Sequence, residues 1–544
     1  MKKFLSVLLC VAIAFSIPVT AFSASGTVYY IDSANGDDTA SGTAPSDAWK
    51  TTANIESLQL NPGDKVLFKR GGTYECTLEI TCSGTEESPI VFSSYGEGEK
   101  PLLTTLEGTE VLRLFDCSYV TVSDLEITAH NGGGIWIDTL SKASYGITVE
   151  NVDFHDIQNY KVTSRDNLSA GAAPARACIM IKGLPARSEY PVNDLTVTGC
   201  EMYDCGNGIS IWGSWNDEKN PWEDREDEIE FRFNTGALVE NCYFHDMDAE
   251  AVIVGICDGA LVTNCRAIDC CQGEGVDENG KVLYYTAAMW FWGSKNSTIQ
   301  YCEIAGQKNV GDGMTVDFDS YSNGCTYQYI YSHDNMRFIV NNAKQIPQHD
   351  NTVRYCLSVN DGDRRNQLSS GTGEYNFRFY NNTIIGCGDF TIDDTENSLI
   401  ANNIFIPKKG SRFIYDLLEI KKSGTVFTNN CYYDIMTPLI EPCAYNVLPG
   451  FTSDDISDPK SFMLSAGSPL IGAGYEIEDE CDTDFFGNKI TSCNIGCYGA
   501  NGTDTEYQSE CFCEKAVRIT KYVFECIFET IADEIRHLAS KINK

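Results

Sequence analysis

Short runs of alternating hydrophobic and polar residues recur along most of this chain. One phrase returns about eleven times, for example as VTVSDLEIT at 120–128, ALVENCYFHDM at 237–247 and NTVRYCLSVNDG at 351–362. Anchor residues such as Cys242 and Cys265 lie roughly 21 to 28 residues apart where no loop intrudes. A repeat of this length with period-two alternation is typical of a parallel β-solenoid, in which each coil buries its inward side chains against the next.

A second strand follows most of these phrases, and its alternation assigns each residue to a face. We expect inward-facing side chains at Ile135, Ile137, Ile209, Ile211, Met289, Phe291, Met314, Val316, Phe338 and Val340. We expect outward-facing side chains at Trp136, Asp138, Ser210, Trp212, Trp290, Trp292, Thr315, Asp317, Ile339 and Asn341. Matching positions on neighbouring coils are about 4.8 Å apart, so Trp292, Asp317 and Asn341 are expected to form one outward column.

Composition divides the chain into five segments. Residues 1–23 combine a basic start, an apolar run too short for a bilayer and small residues for cleavage, which indicates a signal peptide and a secreted protein. Residues 24–100 are predicted to form an N-terminal cap and the first coils, 101–470 the β-helix repeats, and 471–504 a C-terminal cap. Residues 505–544 carry apolar positions at helical spacing, so we expect an amphipathic helix there. It either packs on the end of the solenoid or serves self-association or a surface partner.

The net charge of −37 narrows the set of partners. Such a surface repels nucleic acid and anionic lipid, and no segment after the signal is long and apolar enough to span a membrane. Many of the 24 cysteines fall at one position of the repeat, which favours stacked, buried thiols over a disulfide framework. A few bridges, within 481–497 or at Cys511 and Cys513, stay open.

Three stretches give the chain a resemblance to secreted right-handed parallel β-helix proteins of the carbohydrate-active group. They are the opening YYIDSANGDD…PGDKVLFKRGGTY, the repeat phrase itself, and the ending FMLSAGSPLIGAG…DFFGN…NIGCYGA. Within about residues 27–500, GDGMTVDFDS…YQYIYSHDN is similar to β-helix glycoside hydrolases with fucosidase and xylanase members. In that group two glycines usually precede the final Phe, where this chain has Met336 and Arg337.

The resemblance implies an all-β fold, a right-handed parallel β-helix of about ten to twelve coils. An N-terminal cap and a C-terminal α-helix complete the expected architecture. The resemblance also implies hydrolysis of glycosidic bonds in a complex polysaccharide, with a plant-wall polysaccharide as the expected substrate.

Glycoside hydrolysis needs one protonated and one ionised carboxyl group flanking the scissile bond. Asp317 and Asp319 are two residues apart on one strand, hence on one face, roughly 6.5–7 Å apart at the backbone. Asp361 occupies a matching turn position further along, so we predict a catalytic pair of Asp317 or Asp319 with Asp361. The alternative for each is structural, because Asp commonly caps the backbone of solenoid turns.

A histidine and several aromatic residues are further candidates. His333 could donate a proton or orient an Asp, but His155 and His245 fill the same repeat position, which favours a structural role. Trp rings suit the C–H face of a pyranose. The predicted substrate-binding residues are therefore Trp136, Trp212, Trp290, Trp292, Asn341 and Arg337. Burial of the tryptophans under the loop 214–231 is the competing interpretation.

Two other functions stay open. A pectate-type lyase would hold Ca²⁺ on carboxylates such as Asp312 and Asp363 and use an Arg or Lys base. The tight Asp-Asp-Gly-x-Asp cluster typical of such lyases is not in the sequence, so we prefer hydrolysis, which requires no cofactor. A noncatalytic glycan-binding or adhesive β-helix is the third interpretation, since such scaffolds host many functions.

Overall fold

Three long parallel sheets wind along the chain in the computed structural model. It describes residues 26–105, 110–130, 132–157, 177–181, 190–216, 229–273, 286–309, 311–342, 348–362, 365–370, 374–393, 395–478 and 481–503. The predicted signal peptide at 1–23 and the predicted helix at 505–544 lie outside these residues. Each coil contributes one short strand to each long sheet in turn, which we name sheets A, B and C.

Sheet A has fourteen strands. They are Val28–Ile31, Lys65–Lys69, Ile90–Tyr95, Val120–Ser123, Thr148–Glu150, Thr196–Thr198, Leu238–Glu240, Leu261–Thr263, Thr298–Gln300, Thr326–Gln328, Thr352–Arg354, Arg378–Tyr380, Leu399–Ala401 and Val426–Thr428. Sheet B has thirteen. They are Thr73–Glu75, Leu102–Thr105, Glu126–Ala129, Asp153–His155, Glu201–Tyr203, Tyr243–His245, Arg266–Ile268, Glu303–Ala305, Tyr331–His333, Leu357–Val359, Thr383–Ile385, Ile404–Ile406 and Cys431–Tyr432.

Sheet C has twelve strands. They are Leu78–Ile80, Leu112–Phe115, Ile135–Asp138, Ala177–Ile181, Asn207–Trp212, Val252–Gly255, Met289–Trp292, Met314–Phe318, Arg337–Asn342, Asn366–Ser370, Phe390–Ile392 and Phe413–Tyr415. All neighbouring strands of the three sheets pair in parallel, as the predicted solenoid requires. The sheets contain twelve to fourteen strands each, so the solenoid has twelve to fourteen coils rather than the predicted ten to twelve.

Shorter elements fill the corners. Two small parallel sheets contain Ser144–Tyr145, Val192–Asn193, Asn234–Thr235 and Cys257–Asp258, and Gln348–His349, Glu374–Tyr375 and Thr395–Glu396. Ser214–Trp215 pairs in antiparallel fashion with Phe231–Arg232. The described residues include α-helices at Ala53–Glu56 and Leu417–Ser423 and 3₁₀ turns at Pro45–Asp47 and Pro459–Phe462.

The turn from sheet A to sheet B explains why asparagine and cysteine recur in the repeat phrase. Its first residue has a positive φ in most coils, for example Asn151, Asn241 and Asn264, and asparagine tolerates that conformation better than most residues. A buried cysteine follows in several coils. Its Sγ donates to the carbonyl oxygen two residues earlier, as in Cys242 to Glu240 at 3.3 Å.

Those cysteines form the thiol column, which we define as Cys200, Cys242, Cys265 and Cys302. They stand on consecutive coils, each directly before its sheet B strand. No disulfide joins the described cysteines, so the predicted stack of buried thiols is confirmed for this column.

The interior is one continuous apolar core that runs the length of the solenoid. Ile135, Ile137, Ile209, Ile211, Met289, Phe291, Val316 and Phe338 contribute to it, as the alternation predicted. Aromatic rings stack from coil to coil, as Phe291 does on Phe318 with centroids 6.0 Å apart.

The alternation prediction is wrong for part of two adjacent strands. Thr315 points inward and hydrogen-bonds Ser332 at 2.6 Å, although neighbouring Val316 also belongs to the core. Met314 and Val340 were predicted inward but form an outer apolar cluster with Trp290. Two consecutive inward residues shift the alternation by one position. On the first strand the shift reverses Met314 and Thr315 and leaves Asp317 outward as predicted. On the second strand it reverses Ile339, which joins the core, and with it Val340 and Asn341.

Candidate active site

The candidate site lies on the outer face of sheet C, where parallel pairing stacks outward side chains into columns. The register aligns, strand by strand, Trp136, Met180, Ser210, Ile253 and Trp290. Phe291 then aligns with Phe318, which places Trp290 beside Asp317, and Asp317 aligns with Val340. The predicted neighbourhood of tryptophan and aspartate on this face is therefore present.

Asp317 is a buried carboxyl group on this outer face. Its side chain is only 5% exposed, and its Oδ1 has no hydrogen-bond partner among the residues that the structure describes. Burial raises the pKa of Asp317 well above its usual range, and the charges of Asp319, Asp312 and Glu250 raise it further, against the lowering effect of Arg337. Four carboxyl groups and one guanidinium thus converge at one place.

Asp312 and Asp319 are the solvent-accessible members of this acidic cluster, which we define as Glu250, Asp312, Asp317 and Asp319. Both are partly exposed, whereas Asp317 between them in sequence is buried. Asp319 follows the strand Met314–Phe318 directly, and its N–H donates to Phe291 O at 3.0 Å. These two carboxyl groups are therefore the ones that a bound molecule can contact.

Arg337 holds the loop that carries Asp312. Its Nε donates to Asp312 O at 3.1 Å and its Nη2 to Gly311 O at 2.8 Å. Asn309 supports the same loop, because its side-chain oxygen accepts the N–H groups of Gly311 and Asp312. Arg337 was predicted to bind substrate. Its side chain is 7% exposed and donates these hydrogen bonds to the backbone of the loop.

Glu250 was missed by the sequence analysis. It lies just before the strand Val252–Gly255, and its N–H donates to Asn207 Oδ1 at 3.2 Å. Burial raises the pKa of Glu250 to about 7, with a smaller contribution from Asp312. The signal that could have found it is an acidic residue directly before a hydrophobic strand, two coils before Asp317.

Asp361 does not face outward, and this prediction of its position is wrong. It lies inside the solenoid with no exposed surface and accepts hydrogen bonds from Ser332 and Ser358 and from the N–H of Asn335. Ser332 aligns with the core residue Ile304, which fixes the inward direction. The structure therefore separates Asp361 from the outer face on which it was expected to pair with Asp317 or Asp319.

Asn341 also points inward, because the shifted alternation moves it to the core side. Its strand partner is the core residue Phe318, its Nδ2 donates to Leu368 O at 3.2 Å, and its Oδ1 accepts from Gln348 at 2.6 Å. The predicted outward column of Trp292, Asp317 and Asn341 is therefore wrong: the register places Trp290 rather than Trp292 beside Asp317, and Asn341 faces the core.

His333 faces outward, but on sheet B rather than sheet C. Its ring nitrogens contact Asp334 at 2.9 Å and Glu303 at 3.4 Å. His155 and His245 make the same two kinds of contact, with the next Asp and with a Glu of an earlier coil. The structure does not bring His333 to the acidic cluster, and the recurrence agrees with the structural interpretation.

The tryptophans divide into accessible and buried members. Trp136, Trp212 and Trp290 are partly exposed, whereas Trp292 is 4% exposed within an aromatic cluster that includes Trp215. Trp212 lies 6.2 Å from Trp290 and 5.7 Å from Trp292 between ring centroids. Trp292 packs against Trp215 and Phe231, at the two described ends of the predicted loop, whereas residues 217–228 of that loop lie outside the described residues.

Neither a metal cluster nor a membrane helix is found among the residues that the structure describes. No group of three or more His, Cys, Asp or Glu side chains there is arranged to hold a metal ion. Within the same ranges no helix is long and apolar enough to cross a membrane.

The fold is a right-handed parallel β-helix, as the sequence predicted. No family model matches the chain. In sequence it is similar to a lacto-N-biosidase of Bifidobacterium longum subsp. longum, with 24% identity over an alignment that covers 88% of this chain. The chain spans 37% of the length of that curated relative.

Two solved structures share the fold. The GH136 lacto-N-biosidase from Eubacterium ramulus aligns with a TM-score of 0.54 and 21% identity, covering 76% of this chain and 68% of that one. XylC in complex with xylose aligns with a TM-score of 0.50 and 12% identity, covering 89% and 100%. The chain is thus a homologue of carbohydrate-active parallel β-helix proteins, which confirms the resemblance seen in its sequence.

Proposed function

We propose that this chain hydrolyses glycosidic bonds on the outer face of sheet C, with Asp312 and Asp319 as the catalytic carboxyl groups. One observation carries the proposal: two accessible carboxyl groups flank a buried third, Asp317, beside partly exposed tryptophans. This revises the predicted pairing with Asp361, because a catalytic group must reach the substrate.

The cluster supplies the two protonation states that the reaction needs. One carboxyl group protonates the leaving oxygen, and the other acts as a nucleophile or activates water, depending on the separation of the two groups. Crowding of like charges separates pKa values, so that one group stays protonated while its neighbour ionises. The charges of Asp312 and Asp319 raise the pKa of the buried Asp317, and Asp312 also raises that of Glu250, so like charges are crowded here.

For the substrate we propose a glycan that carries a lacto-N-bioside unit, because both lacto-N-biosidases resemble this chain. The plant-wall polysaccharide expected from the sequence is the competing substrate. Secretion after cleavage near residue 23 is part of the proposal, and N-terminal sequencing of the exported protein tests it.

The test is release of p-nitrophenol from p-nitrophenyl lacto-N-bioside, alongside reducing-end release from a panel of plant-wall polysaccharides. Asp312→Asn and Asp319→Asn are each expected to lower kcat at least about 100-fold, the usual contribution of such a group. Asp389→Asn is the matched control, because Asp389 lies in a turn before a later sheet C strand.

Three outcomes contradict the proposal. Full activity in both Asp variants rejects the site. Products that carry a new C=C bond, formed only without EDTA, identify the Ca²⁺-dependent lyase. Glycan binding with no released product identifies an adhesive β-helix.

A further inference from the structure

The outer face of sheet C carries hydrogen-bonding groups that no described residue satisfies. The Oγ of Ser210, the Nε1 atoms of Trp212 and Trp290, and the Oδ1 of Asp317 are all buried and have no partner among the described residues. Ser210 has no exposed surface and Asp317 is 5% exposed. A buried polar group without a partner destabilises the fold, so native proteins retain few of them away from functional sites.

These four groups form a row, which we call the polar row. Ser210, Ile253, Trp290 and Asp317 succeed one another in the outward column, and Trp212 lies two residues after Ser210 on the same face. Three strand steps of about 4.8 Å give the row a length of roughly 14 Å. That length suits an oligosaccharide more than a single sugar ring.

A glycine on the neighbouring strand leaves room for the Trp212 ring beside this row. A Cβ at Gly255, the strand neighbour of Trp212, would lie 2.5 Å from Cε3 of that ring. Only a glycine therefore lets the indole lie across the next strand. Trp292, on the strand after that of Gly255, packs against the Trp212 ring with centroids 5.7 Å apart.

The opposite side of the acidic cluster is different. Beyond Asp317 the column continues with Val340, which packs with Met314 and Ala287, and then Gln367. Sugars carry many hydroxyl groups, and these suit the polar row better than an apolar cluster.

We propose that the polar row is the sugar-binding subsite and that the substrate lies along sheet C on the N-terminal side of the acidic cluster. The indole N–H groups of Trp212 and Trp290 donate to sugar oxygens, and Ser210 exchanges a hydrogen bond with a sugar hydroxyl. The ligand is a neutral oligosaccharide, because the surrounding carboxyl groups repel an anionic one. This inference rests on the proposed function for the position of the cleaved bond.

The first experiment follows the indole N–H signals of the full chain by ¹⁵N–¹H NMR during titration with lacto-N-biose and, separately, with xylo-oligosaccharides. Trp212→Phe and Trp290→Phe assign the two signals. Both signals are expected to shift with one of the sugars, while the signal of Trp49, whose Nε1 already donates to Ala40 O at 3.0 Å, stays in place. Binding that leaves both signals unchanged overturns the proposal.

The second experiment compares the two sides of the cluster. Ser210→Ala and Trp290→Phe are expected to raise KM or the dissociation constant about 3- to 10-fold, the effect of one lost hydrogen bond. Gln367→Ala is the matched control, two strands from Asp317 on the other side, and is expected to change neither constant. An effect of Gln367→Ala equal to that of Ser210→Ala overturns the proposal.

The two proposals fail in different ways. If the sugar shifts both indole signals but is never cleaved, the subsite stands and hydrolysis is rejected. If Asp319→Asn abolishes cleavage while Ser210→Ala and Trp290→Phe leave KM unchanged, hydrolysis stands and the subsite is rejected.

Discussion

Asp317 and Asp361 are two buried carboxyl groups on opposite sides of the same solenoid wall. Burial raises the pKa of both, that of Asp361 to about 6. Asp361 accepts hydrogen bonds from Ser332, Ser358 and Asn335, whereas one oxygen of Asp317 has no donor within the described part of the chain. The comparison teaches that burial and a raised pKa do not by themselves single out a candidate functional carboxyl group, because Asp361 has both and is fully hydrogen-bonded.

The largest expected difference between them is in stability. Asp361→Ala leaves the donors of Ser332, Ser358 and Asn335 without an acceptor and should cost about 2–4 kcal/mol of unfolding free energy. Asp317→Asn replaces a buried carboxyl group, whose raised pKa favours its neutral form, by a neutral amide of similar shape and should change stability by less than about 1 kcal/mol, while kcat/KM falls. Chemical denaturation and activity of both variants measure this contrast, and equal destabilisation would contradict it.

The pH dependence of stability should also distinguish the inward-facing Asp361 from the outward-facing Asp317. The folded pKa of Asp361 is raised from 3.8 to about 6, so folding favours its protonated form. Its stabilising contribution is complete below about pH 4, is lost as pH rises to about 6, and amounts to about 3 kcal/mol.

Denaturation of the wild type and of Asp361→Asn between pH 4 and pH 7 measures this contribution as a difference. The variant has no carboxyl group to titrate, so the wild type should lose stability relative to it across that range. A difference that is constant with pH would exclude the buried titration.

A glycine tests the outer side alone. Gly255→Ala places a Cβ against the Trp212 ring and should cost about 1–3 kcal/mol, as overpacking usually does. It should also weaken sugar binding, because the indole must move. Gly259→Ala is a suitable comparison: that glycine has open space around its Cβ position, though its positive φ carries a cost of its own. Unchanged sugar binding in Gly255→Ala would show that the position of Trp212 does not matter.

The smallest effect is expected on sheet B. Burial alone would lower the pKa of His333, but its hydrogen bonds to Glu303 and Asp334 raise it, and His333 helps to lower the pKa of Glu303 to about 2. The raised histidine pKa stabilises the fold fully below about pH 6.5 and the contribution is lost as pH rises through the folded value.

His333→Gln should therefore cost up to about 1 kcal/mol at pH 5.5 and less at pH 9, as for other partly exposed ion pairs. Glycan hydrolysis should be unaffected. Thermal unfolding at both pH values and an activity assay check this, and a large loss of kcat would return His333 to the list of catalytic residues.

The repeat length and the alternation were enough to predict the solenoid, because every coil has apolar side chains at the same positions and buries them against its neighbours. They were not enough at Thr315 and Val316, which both point inward. Asp361 shows the same limit, because a turn residue can point to either side and only its neighbours Ser332 and Ser358 decide. Glu250 was missed because it reaches the cluster through the stacking of coils, and only its position before a hydrophobic strand signals it in the sequence.

The thiol column makes the order of unfolding along the solenoid measurable. Among the described cysteines only Cys443 and Cys493 are exposed, and buried thiols react with alkylating reagents only after local opening. Each coil that carries a column member thus contains its own reporter. The order in which Cys200, Cys242, Cys265 and Cys302 become alkylated in mild denaturant gives the direction in which the solenoid unzips.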